Sequence, residues 1–429
     1  MRSNRRSRPV EWGKNVLIVL LTLSAVFLLS RTQIADRVVD AVRGLLDSSP
    51  AVSSTAVPAQ DTSAVIRPVR LAIYQDGQRY GVQYNQEETD AVFASLSTLL
   101  SEALGSAGVP EAASERDWRS ALCRTGIYMD FLYPVPLSLL SGWLGDDQGN
   151  SDLTGTARRI CLAAEESGGV SLFYINEEDG SYYVCGTTLS SALHLDAAVT
   201  GQSPNGALFA FEVSGMEDLE PYTFLTSTPQ PVVYAAGNPL QEDSTRVAEL
   251  LSALAFRQTA SLDPFAGGQI AESNDTLRLS AGGVVTFHTI GDSGLRFTLP
   301  ENSLPGALDY VQTLAEATVG AWCGAARLCL AAAEETSAGF EITFQYCLNG
   351  ALVTLPEGAA AAHFVVRDGV VTDFVLYLRS YSDTGETSLV LPEELATAAM
   401  DSLDAKGKEL TLLYQDFGGE QVSAGWVAM

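Results

Sequence analysis

The sequence contains few of the residues and patterns from which catalytic and metal sites are built. Its three histidines are His194, His288 and His363, and none has a second histidine or a cysteine at metal-ligand spacing. There is no G-x-S-x-G elbow, Walker phosphate loop, H-E-x-x-H pair or Rossmann glycine set. We therefore predict a protein that is not an enzyme, with no catalytic residue, no metal site and no cofactor.

Two acidic patterns could suggest chemistry, and we interpret both as surface features. Asp146–Asp152 alternates oxygen-bearing side chains as a calcium loop does, but its glycine stands fourth instead of sixth. Ala157 occupies the twelfth position, where a calcium loop needs a bidentate glutamate. In acidic pairs such as Glu165–Glu166, adjacent side chains point apart, so they cannot converge on one bond.

Cysteine is present, but no two cysteines form a C-x-x-C pair. An even number outside the membrane permits three disulfides. Most of the six lie in apolar stretches such as Tyr183–Cys185 and Gln345–Cys347, where a free thiol packs as a small hydrophobe. We favour buried structural thiols, with a disulfide framework as the alternative. The cysteines are Cys123, Cys161, Cys185, Cys323, Cys329 and Cys347.

Positive charge is scarce outside the N-terminus. Residues 1–31 hold six basic side chains against one acidic, a net of +5, and the remainder holds 19 against 51, a net of −32. A body this acidic repels polyanions, so nucleic acid is excluded as a partner.

Residues 15–31 are predicted to form one transmembrane helix. Val16–Ser30 is uncharged and almost wholly apolar. A helix of this length spans about 22 Å of a bilayer core of roughly 30 Å, and it also fits the apolar region of a secretory signal. However, no small-x-small cleavage site follows it, and Trp12, Lys14 and Arg31 flank it as interfacial anchors. We therefore interpret it as an uncleaved anchor.

The charge asymmetry predicts the orientation of this helix in the cell membrane. Residues 1–14 form a basic cytoplasmic tail, and everything after Arg31 is extracytoplasmic. Within the helix, Thr22, Ser24 and Ala25 are small and could form a close-packing face for a partner helix. The alternative is a generic anchor in which these three residues have no role.

The extracytoplasmic chain divides into three predicted segments. Residues 32–68 comprise a juxtamembrane amphipathic helix and a linker rich in Ser, Thr and Pro. Residues 69–234 form a first domain and residues 243–429 a second, separated by the Gly/Pro/acidic stretch Tyr234–Asp243.

The pattern of both domains predicts an α+β fold, in which antiparallel sheets pack against helices. Five strand pairs flank short turns such as Asn349–Gly350 and Asp368–Gly369, and such short connections require antiparallel pairing. Helical periods occur between them, at Gln86–Leu104 after a capping Asn85 and at Leu308–Ala333.

From Leu308 onward the order of features resembles the C-terminal region of the YycH/YycI proteins. The shared features are an amphipathic helix, the turns at Asn349–Gly350 and Asp368–Gly369, Arg379-x-Tyr381, a helix opened by Leu391-Pro392, and a terminal strand with Trp426. Members of that family are single-pass regulators of Gram-positive bacteria that accompany the WalK-type cell-wall sensor histidine kinase.

The resemblance implies an accessory protein that regulates a two-component sensor histidine kinase through its membrane helix and extracytoplasmic domain. The implied partners are the membrane and the sensor kinase or another accessory membrane protein. The alternative is an extracytoplasmic binding module for a cell-wall fragment or small ligand, which would need a concave pocket between the two domains.

Protease treatment of intact protoplasts tests the topology. We expect the protease to digest everything beyond about Arg31 and to cut first within residues 47–68, where few contacts would protect the backbone. Immunoblots against the two termini would follow the cleavage. A chain that stays full-length would mean that the orientation is reversed.

Overall fold

The computed structural model describes residues 66–144, 150–190, 195, 199, 203–226, 228–241, 244–257, 268–290, 296–392, 395–398 and 407–429. The predicted cytoplasmic tail, the predicted transmembrane helix with Thr22, Ser24 and Ala25, and most of the linker lie outside the described residues. Within the described part, no helix is both long and apolar enough to cross a membrane.

The first large sheet is antiparallel and has seven strands, in the order β2-β1-β4-β5-β6-β7-β3. We call it the N-terminal sheet. Its strands are β1 (Arg70–Gln75), β2 (Gln78–Gln83), β3 (Glu111–Ala113), β4 (Gly126–Pro136), β5 (Thr156–Ala164), β6 (Gly169–Asn176) and β7 (Tyr182–Ser190).

Helices cover both faces of the N-terminal sheet, because successive residues of its strands place apolar side chains on opposite faces. On one face Leu71 packs in the same core as the buried stripe of α1, and on the other Ala72 packs in the same cluster as Trp118 of α2. The Asn85 side chain caps α1 by accepting from the Glu88 backbone, as predicted. The helices are α1 (Gln86–Ser106), α2 (Glu115–Ala121) and α3 (Leu137–Leu144).

The second large sheet has ten strands and packs against helix α5 (Leu304–Thr318). We call it the C-terminal sheet. Its order is β11-β12-β13-β18-β17-β15-β16-β20-β22, with β14 on the other side of β15, and the β16–β20 pair is parallel. The strands are β11 (Gly268–Glu272), β12 (Asp275–Leu279), β13 (Val284–Thr289), β14 (Arg327–Thr336), β15 (Gly339–Leu348), β16 (Ala351–Thr354), β17 (Ala362–Arg367), β18 (Val370–Tyr377), β20 (Leu410–Gln415) and β22 (Ala424–Ala428).

Smaller elements join these two sheets. Two short strands pair with each other, β8 (Leu208–Phe209) and β9 (Phe224–Leu225), and helix α4 (Ser244–Ala253) packs against α5. A three-stranded sheet has β10 (Val232–Gly237) between β19 (Ser380–Thr387) and β21 (Gln421–Val422). Part of the stretch predicted to separate two domains is therefore a paired strand. Asp61–Met429 forms one compact unit, and independent folding of 69–234 and 243–429 stays a prediction.

The α+β class, the antiparallel pairing and the five hairpins predicted from the sequence are confirmed. The predicted helix at Leu308–Ala333 is wrong in its second half. The helix ends at Thr318, Gly324 adopts a φ of 70°, and β14 begins at Arg327. The Ala-rich part of β14 has helical propensity, but β14 pairs with β15 on both sides of a register shift between Leu330 and Ala332, so sheet packing overrides that propensity.

The close packing of β4 against β5 generates a test at Gly126. A Cβ atom at this position would lie 2.0 Å from the Leu162 carbonyl oxygen, whereas a Cβ at Gly169 would meet nothing within 4 Å. We expect Gly126→Ala to lower the free energy of unfolding by about 2–4 kcal/mol, because the strand backbones must separate. Gly169→Ala should change it by less than about 1 kcal/mol.

Urea unfolding of the purified chain, followed by tryptophan fluorescence, would measure both variants. Equal unfolding midpoints for the two variants would contradict the strand pairing described here.

Candidate functional site

Six charged side chains meet where the N-terminal sheet contacts the segment that leads into β20. Two are carboxylates buried among arginines, and a third carboxylate lies at the margin. We call these residues the joint cluster, and they are Arg70, Asp130, Arg158, Arg159, Glu220 and Glu409.

Asp130 anchors the cluster within the N-terminal sheet. Its carboxylate accepts hydrogen bonds from Arg70 Nη1 at 2.9 Å and from Arg158 Nε and Nη2 at 2.8 Å each. It also accepts from the backbone N–H of Leu132 at 2.8 Å. The Asp130 side chain is 1 % exposed, so every one of these bonds replaces a lost contact with water.

Glu409 connects the cluster to the C-terminal sheet, because it directly precedes β20. Its carboxylate binds Arg70, Arg158 Nη1 at 2.9 Å and Arg159 Nη2 at 3.0 Å. Arg70 also donates to Thr411 within β20, at 2.6 Å. One carboxylate of the second half of the chain thus pairs with three arginines of the first half.

Arg158 and Arg159 are adjacent, and a regular strand would direct them to opposite faces. The pairing of β5 with β6 shifts register between Ala157 and Ile160, which is a β-bulge at the two arginines. Both side chains therefore reach Glu409. The neighbouring strand is also irregular, because Leu132 has a φ of 71°, which is rare for a bulky residue.

Charge balance explains how so many ions are buried together. Burial alone would raise the pKa of Glu409, but the charges of the three arginines lower it to about 2. Burial likewise opposes ionisation of Asp130, and Arg158 and Arg70 hold its pKa below the usual range. Glu220, which binds Arg159 at 2.7 Å, has a raised pKa because its burial outweighs that pairing.

A second contact between the two halves is made by the turn between β15 and β16. The Asn349 side chain accepts from the Gln86 backbone N–H at 2.8 Å and donates to the Tyr84 carbonyl at 2.8 Å. Asn349 has a φ of 51°, a conformation that asparagine tolerates. Nearby, Arg327 pairs with Asp90 of α1 at 2.7 Å.

An apolar patch fills the space beside this turn. Val69 and Leu132 of the first half pack with Cys329, Cys347 and Leu352 of the second. All five are buried. The joint between the two sheets is thus filled by ion pairs, hydrogen bonds and apolar contacts.

The geometry of the joint cluster and its surroundings indicates a structural role more than a catalytic one. A cavity of about 10 Å³ beside Tyr128 has room for one water molecule. Among the described residues, no group of three or more His, Cys, Asp or Glu could hold a metal ion. His288 pairs with Asp373 at 2.6 Å and His363 with Thr343 at 3.0 Å, each on neighbouring strands.

Two residues of the family resemblance meet in a separate buried network. Arg379 donates to both oxygens of Asp416, at 2.7 and 2.8 Å, and the Tyr381 hydroxyl donates to the same carboxylate at 2.9 Å. This network connects the junction of β18 and β19 to the turn after β20. Asp416 was not predicted from the sequence.

The joint cluster was also missed by sequence reasoning, although a signal was present. Arg70 and Asp130 are charged residues within otherwise apolar strands, and such residues need partners when the strand is buried. Nothing in the sequence named those partners, because Glu409 lies 339 positions from Arg70.

Glu409→Gln tests the joint cluster. The variant removes one negative charge from among three arginines, two of them buried, and we expect it to lower the free energy of unfolding by about 3–5 kcal/mol at neutral pH. Urea unfolding would measure the change. Glu334→Gln, at an exposed position of β14, is the matched control and should change stability by less than about 0.5 kcal/mol.

The same variant should also change the response to acid. The folded pKa of Glu409 lies below its ordinary value of 4.5, so its contribution is complete above that pH and is lost as the pH falls toward about 2. Glu409→Gln should therefore lose less stability across this window than the unmodified chain. Parallel pH profiles would show that Glu409 is not ion-paired in the folded protein.

The architecture of this chain is similar to that of a solved protein structure. No family model and no curated protein matches the sequence. Among solved structures, the chain is similar to YycH from Bacillus subtilis, with a TM-score of 0.53 and 11% identity over 86% of this chain and 95% of that chain. It also matches an uncharacterized protein from Eubacterium rectale, with a TM-score of 0.26 and 14% identity over 47% of this chain and 76% of that chain.

The match to YycH extends beyond the C-terminal region from which the resemblance was inferred. At 11% identity it concerns the fold, and it covers most of both chains. The resemblance to YycH predicted from the sequence is confirmed at the level of the fold.

Proposed function

We propose that the protein is a single-pass membrane accessory protein that regulates a two-component sensor histidine kinase. The observation that carries this proposal is the fold shared with YycH over 86% of this chain. The predicted layout supports it, with a basic tail, one membrane helix and an acidic extracytoplasmic body. In this proposal the protein acts through contacts with the kinase and catalyses no reaction.

The joint between the two sheets is consistent with such a role. The buried charges of the joint cluster pair across the two sheets, so we infer that they hold the sheets in one defined arrangement. We propose that the outer body and the membrane helix act on the kinase together.

The alternative function, an extracytoplasmic ligand-binding module, requires a pocket between the two halves. Ligand pockets typically have volumes of about 300–1,000 Å³. The joint cluster and the apolar patch occupy the position where we expected that pocket. This filled joint favours the regulator over the ligand-binding module.

Co-purification from detergent-solubilised cells tests the proposal. The tagged full-length chain should recover a sensor histidine kinase or another membrane protein of the same system. If residues 15–31 contribute to the contact, Thr22→Leu with Ser24→Leu should leave membrane insertion intact and weaken the association by about 1 kcal/mol. Quantitative immunoblots of the recovered partner would measure the loss.

Val19→Leu with Val26→Leu is the matched control, because it enlarges apolar side chains without removing a small one. Recovery should be unchanged in that variant. A full-length chain that recovers no membrane partner would contradict the regulatory role. Equal recovery with both double variants would show that the helix is only a tether.

A further inference from the structure

Cys329 and Cys347 lie on neighbouring strands of the C-terminal sheet. In the pairing of β14 with β15, Cys347 stands opposite Arg327, and Cys329 stands opposite Gln345. Residues two positions apart on a strand share a face, so the two cysteines are diagonal neighbours on one face of the sheet. The other four cysteines do not form such a pair by register.

The two thiols are neighbours and are buried at the joint. The adjacent Cys329 thiol, together with burial, raises the pKa of the Cys347 thiol well above its ordinary value. Val69 and Leu132, from the N-terminal half, cover the pair. The relative exposure is 7 % for Cys329 and 0 % for Cys347. An oxidant therefore has little access to Cys329 and none to Cys347 while the joint is closed.

We propose that Cys329 and Cys347 are a redox pair that forms an intrachain disulfide when the two halves of the protein separate at the joint. Opening would withdraw Val69 and Leu132 from the thiols and admit water and an oxidant. The pair is thus a modification site whose oxidation depends on the state of the joint.

The reaction is a thiol–disulfide exchange with a small disulfide as the oxidant. One cysteine loses its proton, and its thiolate attacks a sulfur of the oxidant, which releases one oxidant thiolate and leaves a mixed disulfide. The second cysteine, also deprotonated, attacks the protein sulfur of that mixed disulfide and releases the second thiolate. The protein loses two electrons and two protons, and the oxidant becomes two thiols.

Closure of the disulfide requires a movement of the strands. A disulfide needs Cβ atoms about 3.5–4.5 Å apart, closer than a diagonal pair in a regular sheet. The pairing of β14 shifts register between Leu330 and Ala332, two residues beyond Cys329. Such an irregularity is a place where a strand can bend.

The four other thiols differ in their surroundings. Cys161, Cys185 and Cys323 are buried, and Cys123 is exposed. The Cys123 thiol donates to Glu212 at 3.5 Å. Glutathione disulfide should therefore label Cys123 singly, as a mixed disulfide, whereas the Cys329–Cys347 pair should close on itself.

The experiment uses the purified full-length chain, incubated with glutathione disulfide, quenched in acid, alkylated and digested with trypsin. Trypsin cleaves after Arg327 and Arg367 and not between them, so one peptide of residues 328–367 contains both thiols. The disulfide form of this peptide lacks both alkyl labels and is two hydrogen atoms lighter than the unlabelled dithiol. Mass spectrometry over time gives the rate of oxidation.

Asp90→Asn weakens the contact of α1 with Arg327, and it leaves both thiols and the covering Val69 and Leu132 in place. We expect it to raise the rate at which the 328–367 disulfide forms by roughly threefold to tenfold. Cys123→Ser should leave that rate unchanged. Cys347→Ser should replace the disulfide by a mixed disulfide between Cys329 and glutathione.

Absence of the 328–367 disulfide from both the unmodified chain and Asp90→Asn would overturn the proposal. Equal rates in the two chains would overturn the dependence on the joint, as would simultaneous oxidation of all buried thiols. No kinase takes part in this measurement. A failure here is therefore distinguishable from a failure of the proposed regulatory function.

Discussion

Glu409 accepts hydrogen bonds from three arginines of the N-terminal sheet, and the rest of the structure is arranged around that contact. A buried carboxylate costs several kcal/mol in lost hydration unless cations surround it. The arginines have the same requirement, which Asp130 and Glu220 complete. Because Asp130 and Glu220 leave one of the three arginine charges of the first half unbalanced and Glu409 balances it, the cluster fixes the position of one half against the other.

This constraint accounts for the irregular backbone around the cluster. The bulge in β5 directs adjacent arginines toward one carboxylate, and Leu132 adopts an uncommon conformation while its N–H binds Asp130. Strained or bulged backbone persists only where its surroundings determine it strongly. Here the ion pairs hold the irregular backbone in place, and the apolar patch around Leu132 and Val69 contributes to the same effect.

The fold is shared with YycH at 11% identity. Identity at this level shows a common fold and no common set of residues. Packing tolerates exchange among apolar residues of similar size, whereas turn geometry demands particular residues. A resemblance noticed in turn dipeptides and apolar spacing can therefore reflect a common architecture without a shared set of functional residues.

The sequence by itself determined the local elements of this protein. Asn349–Gly350 and Asp368–Gly369 have positive φ at both positions, the geometry that such dipeptides favour, and Asn85 caps α1 through a residue three positions away. Each of these outcomes depends on a few neighbouring residues. The end of α5 and the start of β14 were mispredicted, because pairing with β15 overrides the helical propensity of an alanine-rich segment.

Only the tertiary structure decided the partners of the buried charges and the meeting of Cys329 with Cys347. Arg70 and Glu409 are separated by 339 positions, and Arg379 and Asp416 by 37. A charged residue in an apolar strand signals that a partner exists, but its identity depends on how the sheets pack. Strand register likewise decides which thiols face each other, and register is set by the packing of whole faces.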